Sequence, residues 1–277
     1  LEQVGIDFLD DEAFDIWQRA GADVDRASRR VRLDRGLVLE AIASAPRSFR
    51  WRARNPAHDV VIGGNTIAFG PCGGMAYATD LDRGRRPGTM ADYENLLRLS
   101  QSCHALHFAA WEQVTAQDVG VNIRHLHRVR AACRLTDKVI MEGAHGRVIT
   151  ADTLAMLRLV FGDLDGDPVT GDVINVNSPL RYDERMLGGL ITYARAGQVT
   201  FITPFILAGA MSPVTMGGAL AQQNAEVLAG VALTQLIRPG APVLYGGFTT
   251  NSDLRRGSAA IGTPEGGWAA EDTLFGG

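Results

Sequence analysis

Glu112 and Glu142 are the residues best placed to do chemistry: each closes an apolar run, HALHFAAW before the first and KVIM before the second. A carboxylate beside a buried strand needs a partner or a purpose, because desolvating it unpaired is costly. Trp111 sets an indole next to Glu112. Equivalent strand-end positions on later apolar runs are Asn175, Asn177, Thr203 and Gly246. These seven residues are the candidate substrate-binding set. Each also admits a structural role: Asn177-Ser178-Pro179 could form a turn, and Gly246-Gly247 could simply relieve crowding.

Sharper motifs fail on their context. His125-Leu126-His127 has the form of a barrel-hydrolase metal pair, but it falls in a helical stretch, where residues two apart point to different sides. His104 and His107 stand near the entrance of a strand. Cys72, in the run GPCGG, has no histidine with a visible claim to activate it. No nucleophile elbow, Walker loop or zinc-protease motif is present. No metal site is expected, and no catalytic residue is assignable.

The elements that must position these residues come in two textures. Residues 1–100 are irregular: a helix from about Asp10 to Ala20, a second near Arg35 to Ala45, strands over 48–54 and 58–70, and a helix from Thr89 with Leu96, Leu97 and Leu99 near its buried side. This reads as an N-terminal α+β cap. From residue 101 to 277, apolar strand-length runs alternate with helical stretches. Strands at 104–114, 138–146, 172–180, 198–209 and 242–250 are separated by helices at 121–134, 150–162, 183–196 and 215–237. Apolar residues on successive positions suit parallel strands covered on both faces, and the 30–40-residue repeat fits βα units (roughly 30 residues or more each). The predicted fold is α/β, the first five units of a (β/α)8 TIM-type barrel, with the strands adjacent, parallel and in sequential order. No strand leads into a glycine-rich phosphate turn, which disfavours a doubly wound sheet. In such a barrel the strand carboxyl ends carry the site. The closing run GTPEGGWAAEDTLFGG reads as a glycine-rich tail without a sixth unit, so an incomplete barrel from a longer protein is expected.

Composition narrows the class. The 277 residues are 46% hydrophobic and 21% charged, the balance of a globular enzyme. A net charge of −4 gives no reason to expect nucleic acid or anionic membrane as a partner. Cys72, Cys103 and Cys133 are scattered singly, which matches neither a disulfide framework nor a zinc pattern and fits a cytoplasmic setting. No apolar run nears the ~20 residues of a membrane span. The chain opens on Leu1 with an acidic amphipathic stretch and shows no signal peptide.

The ordered succession of several segments resembles the trimethylamine:corrinoid methyltransferase family. The segments are IDFLDDEAFDIWQRAGADVD, APRSFRWRARNP, Phe69-Gly70-Pro71 with the glycines after it, Thr79-Asp80-Leu81 through Gly84-Arg85-Arg86-Pro87-Gly88-Thr89 to Asp92-Tyr93, NSPLRYDERML, and Gly262-Thr263-Pro264-Glu265. The resemblance implies an eight-stranded α/β barrel and methyl transfer from a methylated or quaternary amine to a corrinoid. The corrinoid would be carried by a partner protein, with no cofactor bound directly, and the enzyme would be a homo-oligomer. It departs after Glu265, where family members continue. A quaternary ammonium offers no N–H donor, so its recognition must come from aromatic faces and negative charge. Trp111, Glu112 and Glu142 are residues of that type. Two alternatives stay open: a different barrel enzyme, such as a lyase using Lys138, the only lysine, and a non-catalytic interaction protein on a barrel scaffold.

Overall fold

A computed structural model of the chain describes residues 1–275. In chain order the elements are β1 (Ile6–Phe8), α1 (Asp11–Arg19), β2 (Asp23–Asp25), β3 (Arg30–Arg32), α2 (Arg35–Ile42), β4 (Ser48–Trp51), β5 (Val60–Gly63), β6 (Tyr77–Asp80), β7 (Gly84–Pro87) and α3 (Met90–Ser102). There follow β8 (Phe108–Ala110), α4 (Arg124–Leu135), β9 (Val139–Met141), α5 (Arg147–Phe161), β10 (Thr170–Val176), β11 (Arg181–Tyr182), α6 (Glu184–Arg195), β12 (Val199–Ala208), α7 (Met216–Ile237), β13 (Val243–Tyr245), β14 (Phe248–Asp253), β15 (Ser258–Ala260) and α8 (Pro264–Phe275). They fall into two compact units. A middle unit holds Arg47–Asp172 with Ala196–Gln198; a flanking unit holds Leu1–Pro46, Val173–Arg195 and the chain from Val199 on.

In the middle unit, β8, β9 and the start of β10 pair in parallel and in sequence order. Phe108, Ala109 and Ala110 are buried, as are Val139, Ile140 and Met141. Continuous burial is what helix-covered parallel strands require. Thr89 starts α3 with a capping box, accepting from Asp92 N at 3.3 Å while the Asp92 carboxylate accepts from Thr89 N at 2.9 Å. The buried stripe of α3 is Tyr93, Leu97 and Ser100, at i, i+4 and i+7; Leu99, expected near that side, is 64% exposed. One hundred degrees per residue carries position 99 away from 97. The expected strand over 58–70 is shorter: β5 pairs antiparallel with β4 and ends at Gly63. Gly63 lies at φ +113 and a Cβ there would sit 2.4 Å from the Arg47 carbonyl oxygen, so only glycine can make this turn.

In the flanking unit, β1 runs between antiparallel β3 and parallel β11, and α1 buries Phe14, Ile16 and Trp17. Asp10 caps α1 by accepting from Ala13 N at 3.1 Å. The strand predicted at 242–250 is present in two pieces. β13 and β14 both pair in parallel with β12, and one register offset serves both, from Thr200↔Val243 to Phe205↔Phe248. The ladder breaks where Pro204, lacking an N–H, meets Gly246-Gly247. Beyond β14 the structure departs from expectation. The run read as a glycine-rich tail is largely helical: β15 turns back antiparallel on β14, and α8 follows over Pro264–Phe275. Thr263 and Pro264 explain the helix, since the Thr263 hydroxyl oxygen accepts from Gly266 N at 3.3 Å and proline suits a first helical position. Among the described residues, no helix is long and apolar enough to cross a membrane.

Candidate functional site

The middle unit gathers Trp111, Glu112 and Glu142 near the carboxyl ends of β8 and β9. Glu142 is 1% exposed in its side chain. Tyr93 donates its hydroxyl to Glu142 Oε1 at 2.6 Å, and Arg128 donates Nη2 to Glu142 Oε2 at 2.6 Å. The other terminal nitrogen of Arg128 pairs with Glu112 Oε2, and Thr115 donates to Glu112 Oε1 at 3.0 Å. One guanidinium thus ties together the ends of two strands. Burial pushes the Glu142 carboxyl above its ordinary value, and Arg128 and Tyr93 do not fully offset this. Burial also works on Glu112, but there Arg128 outweighs it and holds the carboxyl low. Tyr93 is pushed well up by burial and by Glu142, so it stays a hydrogen-bond donor.

Beyond β9, His145 places Nε2 3.9 Å from Glu112 Oε2 and 3.9 Å from Asp172 Oδ2. Asp172 Oδ2 accepts from Ala144 N at 3.0 Å, which fixes the turn that carries the imidazole. Trp111 is half-buried. Residues Gly73 to Met75 run beside it: Gly74 N donates to the Glu112 carbonyl at 2.6 Å, and Met75 bridges in parallel to Val114. A Cβ on Gly73 would meet the indole at 2.8 Å, so one face of that ring rests on backbone.

Sequence reasoning did not single out Arg128 or Tyr93. A signal for Arg128 was present: it shares the buried stripe of α4 with His125, Val129 and Ala132, and an arginine on an apolar helical face asks for a carboxylate. His125 and His127 do point to different sides. His125 is buried, with Nε2 3.0 Å from Asp152 Oδ2, and His127 lies in an outer groove with Arg98, Arg130 and Arg134. Among the described residues, no group of three or more His, Cys, Asp or Glu could hold a metal ion. Lys138 is committed elsewhere, donating Nζ to the carbonyls of Ser100 at 2.9 Å and Cys103 at 2.7 Å, where it caps α3. Cys72 is exposed and lines a cavity of about 550 Å³ with Tyr77, Gln113 and the Asp80–Arg86–Asp92 ion pairs.

The flanking unit holds the other four candidates. Asn175 is exposed at the end of β10. Asn177 accepts from Asp183 N at 3.2 Å and its own N–H donates to the Arg181 carbonyl, so it builds the turn before α6. Thr203 and Gly246 are neighbours: a Cβ at 246 would come within 2.4 Å of Thr203 Oγ1. Glu226, on α7, went unnoticed in the sequence. It accepts from Ser178 Oγ at 2.6 Å, Leu180 N at 2.8 Å and Gln222 Nε2 at 2.9 Å. Burial raises its carboxyl above the ordinary value even so.

Parallel strands alternating with helices are the make-up of an α/β protein, and in the middle unit ionisable side chains converge near the ends of β8 and β9. The chain belongs to the trimethylamine methyltransferase (MTTB) family, whose model matches residues 1–271. It is 40% identical over 268 residues to a glycine betaine methyltransferase of Desulfitobacterium hafniense (strain Y51), covering 96% of this chain and 56% of that protein. It is 31% identical over 269 residues to the trimethylamine methyltransferase MttB of Desulfitobacterium hafniense (strain DSM 10664 / DCB-2), with 96% and 54% covered. A proline betaine:corrinoid methyltransferase of Eubacterium limosum is 27% identical over 281 residues, with 96% and 56% covered. The chain thus spans about half the length of the curated relatives it matches.

Proposed function

We propose that this chain is part of a methyltransferase that takes a methyl group from a methylated or quaternary amine and hands it to the reduced cobalt of a corrinoid carried by a partner protein. The family match over residues 1–271 carries this reading. The architecture that goes with it is the front of a TIM-type barrel, residues 101–277, behind an N-terminal cap, residues 1–100, in a cytoplasmic homo-oligomer. An amine nitrogen is a poor leaving group, and the corrinoid supplies the strong methyl acceptor. The protein must align the N–CH₃ bond and keep water away from it. The residues proposed to bind substrate are Trp111, Glu112 and Glu142 in the middle unit and Asn175, Asn177, Thr203 and Gly246 in the flanking unit.

Within that set the roles differ. Glu142 is taken up by Arg128 and Tyr93 and acts as the buried anchor that fixes Arg128. Glu112, held ionised by Arg128, and Asp172 each place a carboxylate oxygen 3.9 Å from His145 Nε2. Lys138 caps a helix, which counts against the Schiff-base lyase alternative. The test is single-turnover methyl transfer from trimethylamine, glycine betaine and proline betaine to a reduced corrinoid protein, followed by the cobalt absorption spectrum. Demethylation of one of them with matching corrinoid methylation is expected. No transfer from any methylated amine by protein that is folded and mixed with a competent corrinoid partner would refute the reading.

A further inference from the structure

The sheet of the flanking unit has two unlike faces. Along β12, Ile202, Pro204, Ile206 and Ala208 are buried, and Ile206 and Ala208 pack on Ala219 and Met216 of α7. The alternate residues Phe201, Thr203, Phe205 and Leu207 face the other way and are only partly covered. Phe205 and Phe248 are register partners on β12 and β14, with rings stacked at 5.1 Å and 13° between planes. They are 42% and 43% exposed. Two residues before Phe248, Gly246 is packed against Thr203: a Cβ there would sit 2.4 Å from Thr203 Oγ1. Single exposed apolar residues are ordinary, but a half-exposed aromatic pair stacked across register partners is an ordered aromatic surface.

Some aromatic faces are already used. One face of Trp111 lies on Gly73, Arg85 stands 3.9 Å over the Tyr77 ring, and Arg26 and Arg29 stand over Phe14. Phe205 and Phe248 have no such cation among the described residues. The face of a phenyl ring is electron-rich and attracts a cation that needs no hydrogen bond, which describes a methylated ammonium.

We infer that Phe205 and Phe248 are the seat of the substrate's N-methyl groups, with the Thr203 hydroxyl on the same face of β12 beside them. This rests on the methyl-transfer reading and names its aromatic contact. The test compares glycine betaine with 3,3-dimethylbutanoate, the same shape with a neutral carbon in place of the ammonium nitrogen. Calorimetry is run on the parent, Phe205→Leu, Phe248→Leu and Phe205→Tyr proteins, with circular dichroism as the check on folding. The parent is expected to prefer the ammonium, each leucine variant to lose roughly two- to thirtyfold of that preference, and the tyrosine variant to keep it. The inference is overturned if folded leucine variants bind the ammonium as tightly as the parent, or if they weaken for both ligands equally. A parent that binds glycine betaine with no preference over the neutral analogue overturns it too. Failure of the parent to bind glycine betaine, proline betaine and tetramethylammonium alike would bring down this inference and the methyl-transfer reading together.

Discussion

Arg128 on α4 meets Glu142 at the end of β9 with 2.6 Å between Nη2 and Oε2, and their side chains are 4% and 1% exposed. Neither residue can lose the other cheaply. Arg128→Met should take the guanidinium away from buried Glu142 and remove the main partner of Glu112, destabilising the protein by about 3–5 kcal/mol. In a protein of this size that lowers the thermal midpoint by roughly 5–9 °C. Adding Glu142→Gln to Arg128→Met should recover part of the loss, and a double-mutant cycle by chemical denaturation measures the coupling.

The pH dependence of stability should carry two opposite contributions. Arg86 holds the Asp92 carboxyl well below its ordinary 3.8, with help from Thr89 and against burial. A depressed carboxyl contributes stability that is present above its unfolded value and is lost as pH falls through its folded value. Asp92→Asn should therefore flatten the loss of stability between about pH 5 and pH 2. Glu142 is raised by burial, so its contribution is present below its unfolded value and is lost as pH rises through the raised one. Relative to the parent, Glu142→Gln should gain stability as pH climbs above about 5. Denaturation series across pH read both slopes, and parallel curves for parent and variants would contradict the assignment.

Gly246 is required by its neighbour. Gly246→Ala would push a methyl to within 2.4 Å of Thr203 Oγ1 and 3.1 Å of the Ile202 carbonyl oxygen. Overpacking of this kind costs about 1–3 kcal/mol. Thr203→Ala in the same protein removes the closer contact and should restore most of the loss, as seen by thermal melts of the single and double variants.

Glu226 satisfies three donors from the segment 178–222, among them the backbone N–H of Leu180. Glu226→Ala strands those donors, and the expected cost is about 2 kcal/mol or more. Amide exchange at Leu180 should accelerate in the variant well beyond exchange in α1, which carries its own Asp10 cap. Equal acceleration in both places would mean global destabilisation instead of a released turn.

Local order was legible wherever neighbouring residues decide it. Thr89 with Asp92, Asp10 before α1 and the alternation of apolar runs with helical stretches placed most elements, because capping and periodicity act over one or two turns of chain. The same local logic overlooked Thr263-Pro264, where glycines drew attention away from a good helix start. It also mistook Leu99, whose apolar character says nothing about which side it faces. Among the candidate residues, Glu112 and Glu142 stood out by type alone, as carboxylates after buried runs, with Trp111 beside the first. How those carboxylates are paired is set by residues far away in the chain. Arg128 reaches Glu142 across 14 positions and Tyr93 across 49, and Glu226 holds Leu180 across 46. The pairing of Phe205 with Phe248 follows from a parallel register offset of 43 residues, which no local pattern encodes. Sequence by itself determined which charges had to be matched, because burial makes an unmatched charge intolerable. Only the tertiary structure decided the matches, because a guanidinium or a ring finds its partner through strand register and helix packing, which are properties of the folded chain as a whole.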